Sequence, residues 1–190
     1  MKELEKRLDF IREAEGLKSV ERTATTAAGQ RESTAEHSWR LALLAWSMVD
    51  LYPALDRARV LELCLVHDLG ERYCGDSCAS DLPDQAEKYR QERAGLLRLA
   101  GFLPSRKGRE LIDLWEEYNE AETPEARLVK ALDKAETILQ HNQGRNPPDF
   151  DYDFNLGYGK NYFQGDPLLE ELRTLLDAGT RRRMEEQGRG

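Results

Sequence analysis

The chain is poor in cysteine and histidine, with three of each in 190 residues. Cys64, Cys74 and Cys78 form an odd, sparse set that offers no disulfide framework. Long apolar runs are missing as well. The most apolar stretch, residues 41–49, is far too short to span a bilayer. The charged, amphipathic start MKELEKRLDFIREAEG lacks the apolar centre of a secretory signal. A soluble protein in a reducing, cytoplasmic setting, with no membrane partner, is the expectation. Excess positive charge is absent too: the formal net charge is -8, so a nucleic acid duplex would be repelled rather than neutralised. A small anion is not excluded, because a metal ion and a few basic side chains reverse the potential locally.

What is present is helical periodicity beneath a heavily charged surface. Hydrophobic residues make up 39% and charged residues 34%, enough for the core of one compact domain over residues 1–190. Helices are expected near residues 2–15, 34–52, 57–71, 84–100, 105–121 and 124–143, punctuated by Gly16, Pro53, Gly101, Pro104 and Pro124. A last one begins near Pro167 and fades into a charged tail, residues 181–190. The first carries Leu4, Leu8 and Ile11 on one side. Ser33 and Glu36 form a capping pattern for the second, whose buried stripe reads His37, Leu41, Leu44 and Met48, widened by Trp39 and Leu43. The third presents Val60, Leu63, Cys64, His67 and Glu71 on one face. Residues 17–33, the loop 73–81 and residues 144–166 read as irregular, with the Tyr and Phe cluster at 150–163 a packed C-terminal cover. No alternating strand pattern is convincing. The expected fold is all-α, a compact multi-helix bundle with a core at about 10–143.

Two of the three histidines fall in a suggestive set: His37, the pair His67-Asp68, and Asp133. Imidazole and carboxylate together suit a divalent transition metal, and a bound metal makes water a nucleophile at neutral pH. His67 and Asp68 diverge by roughly 100° on a helix, so a shared ion must sit between neighbouring helices. Asp133 lies beside the apolar stripe Leu128, Leu132, Ala135 and Leu139, where an unpaired carboxylate is costly to desolvate. A metal ion would resolve that cost; Lys134 is the competing partner, and an Asp facing solvent is the third reading. A clip formed by Cys74 and Cys78 lacks a second ligand pair.

The run RESTAEHSWR, then LVHDLGE followed by GD, then ALDKAETILQ, resembles the HD-domain metal-dependent phosphohydrolases. Within them it is most similar to the 5′-deoxynucleotidase group, over roughly residues 10–140. The resemblance implies one divalent metal ion on His37, His67, Asp68 and Asp133, with Mn, Co, Fe, Ni, Zn and Mg all open. Two-metal relatives and di-iron oxygenases need further histidines between the HD pair and the last Asp, and residues 69–132 contain none. Glu71 is then a catalytic acid–base, although the residues alone favour a glutamate paired with Arg72 at a helix end. Asp76 orients the sugar or the attacking water, or is simply a turn residue beside Gly75. Arg22 and Arg31 are the candidate phosphate ligands. Lys88 and Glu117 fall where the family carries recurrent polar residues, as support rather than as catalysts. The family has an Arg-Thr-Gly-Trp-like run at residues 22–25; this chain keeps Arg22 but lacks the Trp that helps recognise deoxyribose.

The reaction implied is hydrolysis of a nucleoside 5′-monophosphate. Two rivals stand beside it: an HD hydrolase of a phosphodiester, nucleoside triphosphate or alarmone, and a non-catalytic helical module with a structural metal. The related enzymes tend to form dimers, so a homodimer is a further expectation, with no stripe distinctive enough to place its interface.

Overall fold

The computed structural model describes residues 2–76 and 84–188, and helices dominate it. They are α1 (Lys2–Ala14), α2 (Thr34–Met48), α3 (Arg57–Val66), α4 (Glu71–Cys74), α5 (Gln85–Ala100), α6 (Ser105–Glu120), α7 (Pro124–Gln143), α8 (Asp153–Gly157) and α9 (Pro167–Gln187). Their starts follow local chemistry. Ser33 and Glu36 complete a capping box on α2, and Asp56, Asp84, Thr123 and Asp166 accept the orphan amides of α3, α5, α7 and α9. Part of the loop expected at 73–81, with Cys78, lies outside the described residues.

Helix α7 is the axis of the bundle. It packs against α2, α3, α6 and α9, and Leu128, Val129, Leu132, Ala135 and Ile138 are buried along it. With Leu41 and Ala45 of α2 and Val60 and Leu63 of α3 they form the main core. A second cluster, Leu96, Leu99, Leu111 and Trp115, joins α5 to α6 and receives Leu17.

Four expectations need correction. Residues 17–33 are not irregular: a 3₁₀ turn at Glu15–Ser19 leads into an antiparallel hairpin of β1 (Glu21–Thr25) and β2 (Arg31–Ser33). The Arg31 guanidinium locks it by donating to the carbonyls of Arg22 and Thr23, at 3.4 and 2.7 Å. In α2, Trp39 is 62% exposed and Leu43 is exposed as well, because Leu41 and Ala45 turn the opposite face inward. Residues 144–166 are not wholly irregular either, since α8 and a 3₁₀ turn at Lys160–Phe163 lie within them. Finally, α9 continues to Gln187 where a tail was expected. Arg183 reaches the Gly144 carbonyl at 3.2 Å and Gln187 the carbonyls of Pro148 and Phe150, at 2.5 and 3.0 Å, which ties the last turns to the preceding segment.

One close approach positions the site. A Cβ on Gly95 of α5 would stand 2.3 Å from the Gly70 carbonyl, and one on Gly70 would stand 2.4 Å from the Glu92 carbonyl. Backbone meets backbone, so neither side can yield. Gly→Ala in a helix ordinarily stabilises by about 0.5–1 kcal/mol. Gly95→Ala is instead expected to destabilise by roughly 1–3 kcal/mol through overpacking. A rise in Tm on thermal unfolding would refute this.

Candidate metal centre

Four side chains from three separate stretches converge at the inner end of the bundle. Helix α2 supplies His37 and α7 supplies Asp133. His67 and Asp68 follow α3, which ends at Val66 rather than running to residue 71. Its winding tightens there: Leu69 N–H bonds the Val66 carbonyl and Glu71 N–H the Asp68 carbonyl, at 3.1 and 3.0 Å, both i→i−3 bonds. This turn brings Asp68 Oδ2 to 3.0 Å from His67 Nε2 and 3.8 Å from His37 Nε2. Asp133 Oδ1 stands 3.2 Å from His37 Nε2. His37, His67 and Asp133 are buried and their ligand atoms mutually close enough to hold one ion.

Tautomers decide what this cluster wants. His67 Nδ1 lies 2.9 Å from the Cys64 carbonyl, which only accepts, so Nδ1 carries the hydrogen. His37 Nδ1 lies 2.5 Å from Glu136 Oε2 and donates to that carboxylate. Both rings are thereby oriented with Nε2 turned towards the other at 3.3 Å, beside two carboxylates. Two imidazole nitrogens and two carboxylates facing one point are a donor set that fits a divalent metal ion. Carboxyl and carbonyl partners on the far ring nitrogens are the usual support for metal-binding imidazoles.

Asp133 is held for the same task. Tyr118 Oη donates to its Oδ2 at 2.6 Å and Lys134 Nζ approaches that oxygen at 2.9 Å, leaving Oδ1 for the centre. Burial would raise its pKa, but Lys134 and the imidazoles hold it well below the usual carboxylate range. Asp68 is likewise kept ionised against burial, chiefly by His67. Behind His37, the buried Glu32 and Glu136 could offer a second ligand group with it. Arg22 Nε lies 3.3 Å from Glu32 and Arg40 Nη1 3.3 Å from Glu136, so the two acids meet two guanidiniums instead. Burial and then Glu136 push Glu32 up to about 7.

Without an ion, the centre takes a proton. Burial and Arg22 press the His37 imidazole down, yet Glu136 and Asp133 outweigh them and raise it to about 9 from an ordinary 6.5. A raised folded-state pKa gives stability that is complete below pH 6.5 and lost as pH climbs through 9. Chelated protein is therefore expected to lose Tm across that interval. Protein supplied with a divalent ion keeps it, because the ion replaces the proton. Thermal scans at both pH values, with and without chelator, check this; parallel curves would refute it.

The open side of the centre faces a cavity of about 640 Å³ lined by His67, Asp68 and Asp133. Glu71, Asp76 and Lys88 share the lining. Glu71 is buried, accepts from Thr34 Oγ1 at 3.2 Å and lies 3.9 Å from Lys88 Nζ; burial, then Asp68, raises it well above the carboxylate range. Its expected partner Arg72 turns away to the Glu13 carbonyl, at 2.9 Å. Arg22 also lines the cavity, donates to Thr137 Oγ1 at 3.1 Å and lies 3.7 Å from Asp68. Two residues singled out in the sequence are not brought here. Arg31 is spent on the hairpin carbonyls. Glu117 accepts from Arg59 Nε and Thr123 Oγ1, at 2.7 and 2.6 Å, joining α6 to its neighbours. The aromatic segment also divides. Phe163 is core, whereas Phe154, Tyr158 and Tyr162 line the cavity and so do more than cover it.

Sequence reasoning missed Tyr118, Glu136 and Glu32. Glu136 carried a usable signal, three residues after Asp133 on one helical face; the other two carried none.

A family model described as HD domain matches residues 14–173. The chain belongs to the HD-domain family. Among curated members, the 5′-deoxynucleotidase HDDC2 of Danio rerio is 36% identical over 138 residues, 72% of this chain and 68% of that protein. The HDDC2 5′-deoxynucleotidase of Homo sapiens is 37% identical over 138 residues, 72% of this chain and 67% of its own. A crystal structure from Magnetospirillum magnetotacticum MS-1, described as a predicted metal-dependent phosphohydrolase, superposes with a TM-score of 0.82 at 29% identity, covering 96% of this HD-domain chain and 97% of that one. No helix among the described residues is long and apolar enough to cross a membrane.

Proposed function

We propose that this HD-domain phosphohydrolase removes the 5′-phosphate of nucleoside monophosphates, deoxyribonucleotides included, using one divalent ion. The observation that carries the reading is the convergence of two imidazole Nε2 atoms, 3.3 Å apart, with the carboxylates of Asp68 and Asp133 at the wall of a cavity. A purely structural ion would be enclosed by protein ligands, whereas this donor set opens on one side. The cavity size falls in the usual range for small-molecule sites, roughly 300–1,000 Å³. The kinship with 5′-deoxynucleotidases supports the choice of substrate.

An ion at His37, His67, Asp68 and Asp133 would polarise water and neutralise phosphate charge. The chain's own residues do the rest. Arg22, held by Glu32 and Thr137, presents a guanidinium to phosphate oxygens. Burial, then Asp68, favours the protonated form of Glu71, which is the form able to give a proton to the departing 5′-oxygen. Asp76, which lines the cavity, would meet a sugar hydroxyl or the attacking water. Thr23 and Ala24 line the cavity, whereas Thr25, which stands where the family carries Trp, bonds Asn146 instead. Phe154, Tyr158 and Tyr162 offer a planar base an apolar wall instead.

The test is inorganic phosphate release from ribo- and deoxyribonucleoside mono-, di- and triphosphates, with each divalent ion supplied in turn. Release from monophosphates supports the reading. Turnover confined to triphosphates or phosphodiesters, or none at all, sinks it.

A further inference from the structure

The cavity is lined by four cationic side chains among the described residues: Arg22, Lys88, Lys130 and Lys134. Three are committed to carboxylates. Arg22 faces Glu32 and Asp68, Lys88 faces Glu92 at 3.4 Å and Glu71 at 3.9 Å, and Lys134 faces Asp133 at 2.9 Å. Lys130 is different. No carboxylate oxygen among the described residues lies within 4.0 Å of its Nζ, which instead sits 3.8 Å over the Tyr118 ring. That ring is 5.0 Å from the His67 ring, and its hydroxyl donates to Asp133. An ammonium held among protein groups with no carboxylate in contact is costly. Burial, then the neighbouring Lys134, lowers it to about 8 against the more distant pull of Asp133, Asp68 and Glu92.

Helix geometry gives this cation a position relative to the chemistry. Asp133 lies three residues after Lys130, and Thr137, to which Arg22 donates, lies four residues after Asp133. The three positions share one face of α7 at one-turn intervals. The metal-ligating carboxylate is thus flanked along the helix by Arg22 on one side and Lys130 on the other.

We propose that Lys130 is a phosphoryl-oxygen receptor of this site, its ammonium closing on a non-bridging oxygen of the substrate phosphate beside Asp133. The inference rests on the phosphoester reading above and names a contact that the reading does not require. Arg22 must share its charge with Glu32 and Asp68, whereas Lys130 is in no ion pair among the described residues. Tyr118 supplies the surface on which the lysine stem rests while the site is empty of substrate.

The experiment uses the full chain loaded with a divalent ion. Inorganic phosphate and the ion itself are titrated calorimetrically into wild type, Lys130→Gln, Lys130→Met and Lys130→Arg, and the KM of a deoxynucleoside monophosphate is measured for each. Lys130→Gln and Lys130→Met are expected to weaken phosphate binding and raise KM roughly ten- to hundredfold. Affinity for the ion stays unchanged, and Lys130→Arg restores most of the loss. Phosphate binding by Lys130→Gln equal to that of wild type overturns the inference, whatever the turnover. If Lys130 only packed on Tyr118, Lys130→Met would keep phosphate affinity, which overturns it equally. A wild type that binds phosphate through Lys130 yet cleaves no monophosphate would leave this contact standing and refute the nucleotidase reading.

Discussion

His67→Ala is expected to cut phosphate release by more than about a thousandfold while leaving the helices in place. The estimate follows from what the ring does. Loss of a residue that merely supports a ligand already costs about 10–100-fold in metal affinity or activity, and His67 supplies a ligand atom outright. Its removal also frees Asp68, whose Oδ2 is 3.0 Å from that nitrogen and whose ionised state depends first on it. The fold is secured elsewhere, by α7 against α2, α3, α6 and α9. Circular dichroism should therefore match wild type, while calorimetric titration with a divalent ion shows the binding isotherm collapsing. Activity within tenfold of wild type would remove the metal centre from the mechanism.

Glu71→Gln is the second large effect, and it separates proton transfer from metal binding. The Glu71 carboxyl accepts from Thr34 and approaches Lys88, and it meets Asp68 only as a neighbouring charge rather than through a side-chain hydrogen bond. Ion affinity and KM are expected to hold while kcat falls by roughly 10²–10⁴. Its raised pKa fixes the sign of the pH response. The carboxyl is protonated below that pKa and able to donate, so kcat falls as pH rises through it. Below about pH 9 the proton on His37 competes with the ion, giving an acid-side loss that saturating metal removes. Wild type should show a bell at limiting metal and only the alkaline limb at saturation. Glu71→Gln should lose the alkaline limb; its persistence would mean that another group carries the proton.

Much of this architecture is legible in the chain, for reasons that differ by element. Helix α7 announces itself because Thr123, Pro124 and an unbroken apolar stripe agree with one another. The hairpin at residues 21–33 does not. Its strands are short and polar, and it is held by the Arg31 side chain and by docking on α7, neither of which leaves a periodic trace. The inward face of α2 was half legible: large apolar residues stand on both sides of that helix, and only packing against α3 and α7 selects His37, Leu41 and Ala45. The four proposed ligands are legible through the ordered HD pattern and its flanking runs. Their partners are not, because Tyr118 and Lys130 acquire meaning only from how closely α6 and α7 approach. Charge alone misleads in the same way: Glu117 and Arg31 look as suitable as Glu71 and Arg22 until the chain places them outside the cavity.

The two imidazoles are oriented by unequal means. The ring of His67 answers to a peptide carbonyl, that of Cys64, which no substitution can delete. The ring of His37 answers to a side chain, Glu136, itself braced by Arg40. One of the two rings is thus oriented by the main chain, and the orientation of the other is adjustable by one codon. Any retuning of this protein toward a softer or harder ion has its readiest route through residue 136.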